Sequence, residues 1–108
     1  MTKKDDIFLA PPDGFPLEPV PPGEVLQEEL AARGLTANAL ALKLRVPANR
    51  LTEILNGKRG ISPDTALRLS RSLGVSAAFW LNLQSQYDLA RTEKRHGAKI
   101  RAEVEPAA

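Results

Sequence analysis

The chain has 108 residues, 43% of them hydrophobic and 26% charged, with one Trp and no Cys; this is the balance of one small soluble domain and excludes a long two-domain enzyme. Its apolar runs are only a few residues long, far below the ~20 needed to span a bilayer, and the opening MTKKDDIF lacks the apolar segment of a signal peptide, so a cytoplasmic, non-membrane protein held together by packing alone is expected. The net charge of +2 hides a polarised chain: residues 1–30 carry two Lys against seven Asp and Glu, whereas residues 31–75 carry eight Lys and Arg against only Glu53 and Asp64.

Residues 1–21 contain Pro11, Pro12, Pro16, Pro19 and Pro21. Each proline removes an N–H donor and restricts its neighbour, so this stretch reads as an extended arm, with Ile7, Phe8, Leu9 and Phe15 as candidate anchors. From Pro22 the pattern becomes helical. A first helix starts at Pro22-Gly23-Glu24, with Pro near the first position and acids in the first turns, and ends at Gly34. Thr36 caps a second helix in which Ala37, Leu40, Ala41 and Leu44 follow the i, i+3, i+4, i+7 spacing of one apolar face. Pro47 starts a third, with Leu51, Ile54 and Leu55 inward and Gly57 closing it after Asn56. Ser62-Pro63-Asp64 reads as cap, first position and acidic second position of a fourth helix ending at Gly74. Ser76 caps a longer fifth, with Phe79, Trp80, Leu83, Tyr87 and Ala90 on one broad face. Nothing alternates with period two for long enough to make a sheet, so an all-α body of five helices is expected over residues 22–95. Residues 96–108 form a short C-terminal extension, and the pattern after Gly97 fits a helix or a short strand.

The second and third helices are separated by only two or three residues and must meet at a steep angle. Ala41 is the small residue such a crossing needs, and Leu40, Leu44, Val46, Leu51 and Ile54 fill the wedge. This is helix-turn-helix spacing. Burying those residues leaves a second stripe on the third helix: Asn49, Thr52, Glu53 and Asn56, flanked by Ala48 and Arg50. Asn pairs with an adenine edge, Glu accepts from cytosine N4, and Thr offers a hydroxyl and a methyl group, so the stripe has the chemistry to read a major groove. Lys58 and Arg59 follow at once, between Gly57 and Gly60, where two cations can meet phosphates. On any single helix a polar stripe is usually only a solvated face; the spacing, small residue, wedge and basic loop together point to double-stranded DNA.

Several phrases resemble one family. Pro22-Gly23-Glu24-Val25-Leu26, Val46-Pro47-Ala48-Asn49-Arg50-Leu51, the run from Asn56-Gly57-Lys58-Arg59-Gly60-Ile61-Ser62-Pro63-Asp64-Thr65 to Ala66-Leu67-Arg68-Leu69, and Phe79-Trp80-Leu81-Asn82-Leu83-Gln84 are similar to HigA-type (VapI-like) antitoxins of the lambda-repressor-like (XRE-type) helix-turn-helix class. The resemblance covers about residues 22–90. It implies a dimeric, all-helical repressor of its own operon that neutralises a small RelE-like toxin, a ribosome-dependent messenger-RNA nuclease. Two positions depart from the class. Helix 2 often opens with Gln, which reaches a phosphate; here that position is Ala37, leaving Asn38 or Thr36 to substitute. The turn position often held by Gly is Arg45, which must accept a left-handed backbone.

A single helix-turn-helix covers few base pairs, so a homodimer reading two half-sites of an operator is expected. The fifth helix is the candidate dimer element, through Phe79, Trp80, Leu83 and Tyr87, although Trp80 also suits a core anchor. Glu18, Glu24, Glu28 and Glu29 give the opening an acidic character that complements a basic toxin, or simply a solvated face. An enzyme is not expected: His96, the one His, has no spaced partner for a metal or a nucleophile, and no glycine-rich phosphate loop follows a strand, so no cofactor is implied. The alternative is a stand-alone helix-turn-helix repressor without a toxin.

Overall fold

The computed structural model describes residues 20–107, and the expected arm, apart from Val20 and Pro21, lies outside the described residues. Five helices follow in chain order: α1 (Pro22–Arg33), α2 (Ala37–Leu44), α3 (Ala48–Leu55), α4 (Pro63–Leu73) and α5 (Ala77–Glu103). The described residues contain no strand. They fall into two compact units, residues 20–85 and residues 86–107.

The helix ends are where the residue types place them. Pro21 stands at the N-cap position of α1 without a side-chain bond, with Pro22 at the first helical position, and Thr36 accepts from the Ala39 N–H at 3.0 Å to cap α2. Ser62 accepts from the Thr65 N–H at 3.3 Å for α4, and Ser76 from the Phe79 N–H at 3.1 Å for α5. Pro47, expected inside α3, is its N-cap, with Ala48 the first helical residue; it lacks only an N–H that an N-terminus leaves unpaired in any case. The larger difference is at the C-terminus. The helix that begins at Ala77 runs to Glu103, through residue 95 where the sequence pattern weakened, and so decides between helix and strand after Gly97.

Within residues 20–85 the core is Leu26 and Leu30 from α1, Leu40, Ala41 and Leu44 from α2, Leu51 and Ile54 from α3, Ala66, Leu69 and Leu73 from α4, Trp80 from α5, and Ile61. α3 packs on both α1 and α2, and α2 also on α4. Gly23 makes the α1–α3 approach possible, since a Cβ there would lie 2.2 Å from the Ile54 carbonyl oxygen. Arg33 ties α1 to the end of α4 by donating to the Leu73 carbonyl at 2.9 Å.

Trp80 corrects the expectation that it presents its ring to a second chain. It is 0% exposed, a member of the core, with Phe79 edge-on at 5.2 Å. Its position on α5 turns it toward the helical body, while Phe79 stays 41% exposed.

Arg45 ends α2 with φ 60° and ψ 44°, the only non-glycine residue with positive φ among the described residues. Its N–H reaches Leu42 O at 3.3 Å and the next N–H, of Val46, reaches Ala41 O at 3.1 Å, the pairing of a Schellman ending. A left-handed conformation costs an L-residue about 1–2 kcal/mol, partly offset in a glycine variant by about 0.4–1 kcal/mol of unfolded-state entropy. Arg45→Gly is therefore expected to stabilise the chain by about 0.5–1 kcal/mol, read as a midpoint a few degrees higher in thermal unfolding. An unchanged or lower midpoint would mean that the arginine side chain repays its backbone.

Residues 86–107 carry their own side-chain pairs. The Arg91 guanidinium lies 5.2 Å from the Tyr87 ring centroid, and Glu93 accepts from Arg101 two turns further on. No described helix is long and apolar enough to cross a membrane.

Candidate nucleic-acid interface

The buried face of α3, Leu51 and Ile54, fixes which way the rest of the helix points. Asn49, Thr52 and Asn56 are exposed, as is Ala48, and Glu53 is half-buried beside them. The stripe therefore forms one outward face. Asn38 is also exposed, on the first turn of α2. The Thr52 hydroxyl donates to the Ala48 carbonyl at 3.2 Å, so its proton is used within the helix and it offers a partner acceptor lone pairs and a methyl group.

Gly57, at φ 75°, turns the chain at the end of α3 so that the Lys58 N–H bonds the Glu53 carbonyl at 2.8 Å. This places exposed Lys58 and Arg59 at the C-terminal end of the polar stripe. The loop is pinned from its far side by a residue the charge pattern did not single out: the Gln84 side chain accepts from the Ile61 N–H at 2.8 Å. A Cβ on Gly60 would meet the same amide at 3.0–3.2 Å, so a bare backbone position is what lets Gln84 lie across the loop. Gln84 stands in the Phe79–Gln84 phrase, which was the signal for it.

Electrostatics sort the cations into two groups. Residues 31–75 contain two acids, and both hold arginines: Glu53 accepts from Arg59 Nε at 2.8 Å, and Asp64 Oδ2 accepts from Arg68 Nε at 2.9 Å and Arg50 Nη1 at 3.1 Å. The hydrogen bond from Arg68 keeps the Asp64 carboxyl below the ordinary aspartate range against desolvation, with lesser help from the Arg68 charge and from Arg50. The cluster thus stays ionised at neutral pH and weakens only as pH falls through that lowered value. Lys43, Arg45, Lys58 and Arg71 have no acidic partner among the described residues. Arg50, expected among the groups that meet DNA, is committed to Asp64 and is half-buried.

Of the expected dimer residues, Phe79 is exposed and Leu83 half-buried in the 20–85 unit; Tyr87 is half-buried in the 86–107 unit. Among the described residues no three His, Asp or Glu side chains gather as metal ligands.

Two short helices packed on each other across the three-residue turn 45–47, with Ala41 buried between them, a polar outer face on α3 and a basic loop behind it, define a helix-turn-helix protein. The Helix-turn-helix family matches residues 26–80. "Virulence-associated protein I" of Dichelobacter nodosus is 51% identical over 74 residues, 68% of each chain. Among solved structures, an addiction-module antidote protein of a HigA family from Coxiella burnetii is 49% identical with a TM-score of 0.81, covering 84% of this chain and 100% of that one. The Pseudomonas aeruginosa antitoxin HigA, solved with the higBA promoter, is 42% identical with a TM-score of 0.82 over 84% of this chain and 100% of its own. The chain belongs to the HigA-type antitoxins of the XRE-type helix-turn-helix family, a family of DNA-binding regulators and not of enzymes.

Proposed function

We propose that this protein is a cytoplasmic antitoxin and autorepressor that binds operator DNA as a homodimer through α3 and neutralises a RelE-like, messenger-RNA-cleaving toxin. The observation that carries the reading is the outward face of α3, where Asn49, Thr52 and Asn56 stand exposed with Lys58 and Arg59 at its end. The relative solved with promoter DNA supports it. In this reading Asn49, Thr52, Glu53 and Asn56 read base edges, Ala48 lets the helix approach closely, and Asn38, Lys58 and Arg59 meet phosphates. Arg59 must share its guanidinium between Glu53 and the backbone. Two copies join through α5, with Phe79 and Leu83 at the contact, and read half-sites about one helical turn apart.

Titration of the duplex upstream of its own reading frame, at several salt concentrations, tests the DNA reading. Asn49→Ala is expected to cost about 1–3 kcal/mol on the preferred sequence and to relax base preference at one position. Lys58→Ala should weaken all sequences alike and flatten the dependence of log K on log salt by about 0.9. Unchanged affinity and selectivity in both variants would place the DNA face elsewhere. Copurification with the product of the adjacent reading frame tests the toxin. A chain that binds its operator selectively but retains no neighbouring product is a stand-alone repressor.

A further inference from the structure

Resting on the DNA reading above, we propose that Asp64 is a positioning residue for α3: through Arg50 and Arg68 its carboxylate ties together the ends of three helices and sets the angle at which the polar face of α3 is presented. Arg50 lies in the first turn of α3 and Asp64 in the first turn of α4. One oxygen, Asp64 Oδ2, accepts from Arg50 Nη1 at 3.1 Å and from Arg68 Nε at 2.9 Å. Arg68 then extends its Nη1 to the Leu44 carbonyl at 2.9 Å, in the last turn of α2, where a cation also meets the negative end of the helix dipole. The chain of contacts therefore runs from α3 to α4 to α2. The apolar wedge holds α2 and α3 together, but nonpolar packing is non-directional and does not by itself set the angle of the outer end of α3. The single bonds from Arg50 and Arg68 to Asp64 Oδ2, with the Arg68 bond to the Leu44 carbonyl, are directional and constrain that angle.

A carboxylate on a DNA-binding surface has a second, simpler effect: it repels phosphate. The two effects have opposite signs on operator binding. If Asp64 acted only as a repelling charge, Asp64→Asn would bind every duplex more tightly and by the same factor. Positioning instead requires that the variant bind a shuffled duplex more tightly while its selectivity for the upstream operator duplex falls.

The experiment measures affinity of the full chain for the upstream duplex and for a shuffled duplex of equal composition, across salt, with folding checked by circular dichroism. Asp64→Asn is expected to lower the selectivity ratio about ten-fold without flattening the salt dependence, since no phosphate-contacting cation is removed. Asp64→Glu, which keeps the charge, should restore most of the ratio. Arg50→Gln should lower selectivity to a similar extent with an unchanged salt slope, and the double variant should be no worse than either single one. Equal tightening of both duplexes by Asp64→Asn overturns the inference, as does an Arg50→Gln variant that flattens the slope by about 0.9 with selectivity intact. Either result leaves the DNA reading standing, provided the wild-type chain is selective. A wild-type chain with no selectivity overturns the DNA reading and this inference together.

Discussion

A Gly23→Ala chain is expected to lose about 2–3 kcal/mol of stability, the opposite sign from the usual effect of that replacement in a helix. Elsewhere in a helix Ala is favoured over Gly by about 0.5–1 kcal/mol. Here the added carbon would stand 2.2 Å from the Ile54 carbonyl oxygen and 3.1 Å from Ile54 C and Leu55 Cα. These are backbone atoms in the last turn of α3, so no change of rotamer relieves the overlap and the two helices must part. Overpacking of a close contact costs about 1–3 kcal/mol, and parting α1 from α3 disturbs the cluster that holds Leu26, Leu30, Leu51 and Ile54. For a domain of this size the midpoint of thermal unfolding should fall by about 10–20 °C. Because α3 also carries the polar face, operator affinity should fall at temperatures where the variant is still folded. An alanine variant as stable as the parent would show that α1 and α3 do not approach this closely in solution.

Trp80→Ala is expected to cost about 3–5 kcal/mol, a large share of the total stability of a small domain. The ring is completely buried within its own chain and its Nε1 has no hydrogen-bond partner among the described residues, so packing alone holds it. The loss should appear at any protein concentration, because the cavity opens inside one chain. Phe79→Ser, by contrast, removes a ring that is 41% exposed. In the proposed dimer it should leave the isolated fold nearly intact and shift the monomer–dimer equilibrium, read by analytical ultracentrifugation. If Trp80→Ala dissociated a dimer without lowering the stability of the chain, the assignment of Trp80 to the core would fail.

Local rules made much of the helical body legible. Thr36, Ser62 and Ser76 cap α2, α4 and α5 because a short side-chain oxygen reaches an N–H three residues on. Arg45 takes the left-handed conformation expected of it, because the two apolar faces of α2 and α3 converge only if the chain reverses there. The polar stripe was legible for a related reason: once Leu51 and Ile54 are buried, helical period alone puts Asn49, Thr52 and Asn56 on the opposite side. The extent of α5 was not legible. Its last ten residues have few apolar positions, and their helicity shows in backbone bonds, not in a periodic face.

What the sequence by itself determined, then, is the order of the helices, where four of them start and stop to within a residue, and which side of α3 faces outward. These follow from capping chemistry and from a period of 3.6 residues, both of which act over one or two turns. The tertiary structure decided which groups meet across helices. Gly23 read as an ordinary first-turn residue until α3 came within a methyl group of it. Trp80 suited an interface and, better, a core, and the body closing over it decided for the core. Arg50 read as a cation for DNA until Asp64 was found holding it, and Arg59 as a free one until Glu53 was found beside it. Charge along a chain adds without regard to position, whereas a salt bridge depends on a distance of a few ångströms between residues six or fourteen positions apart.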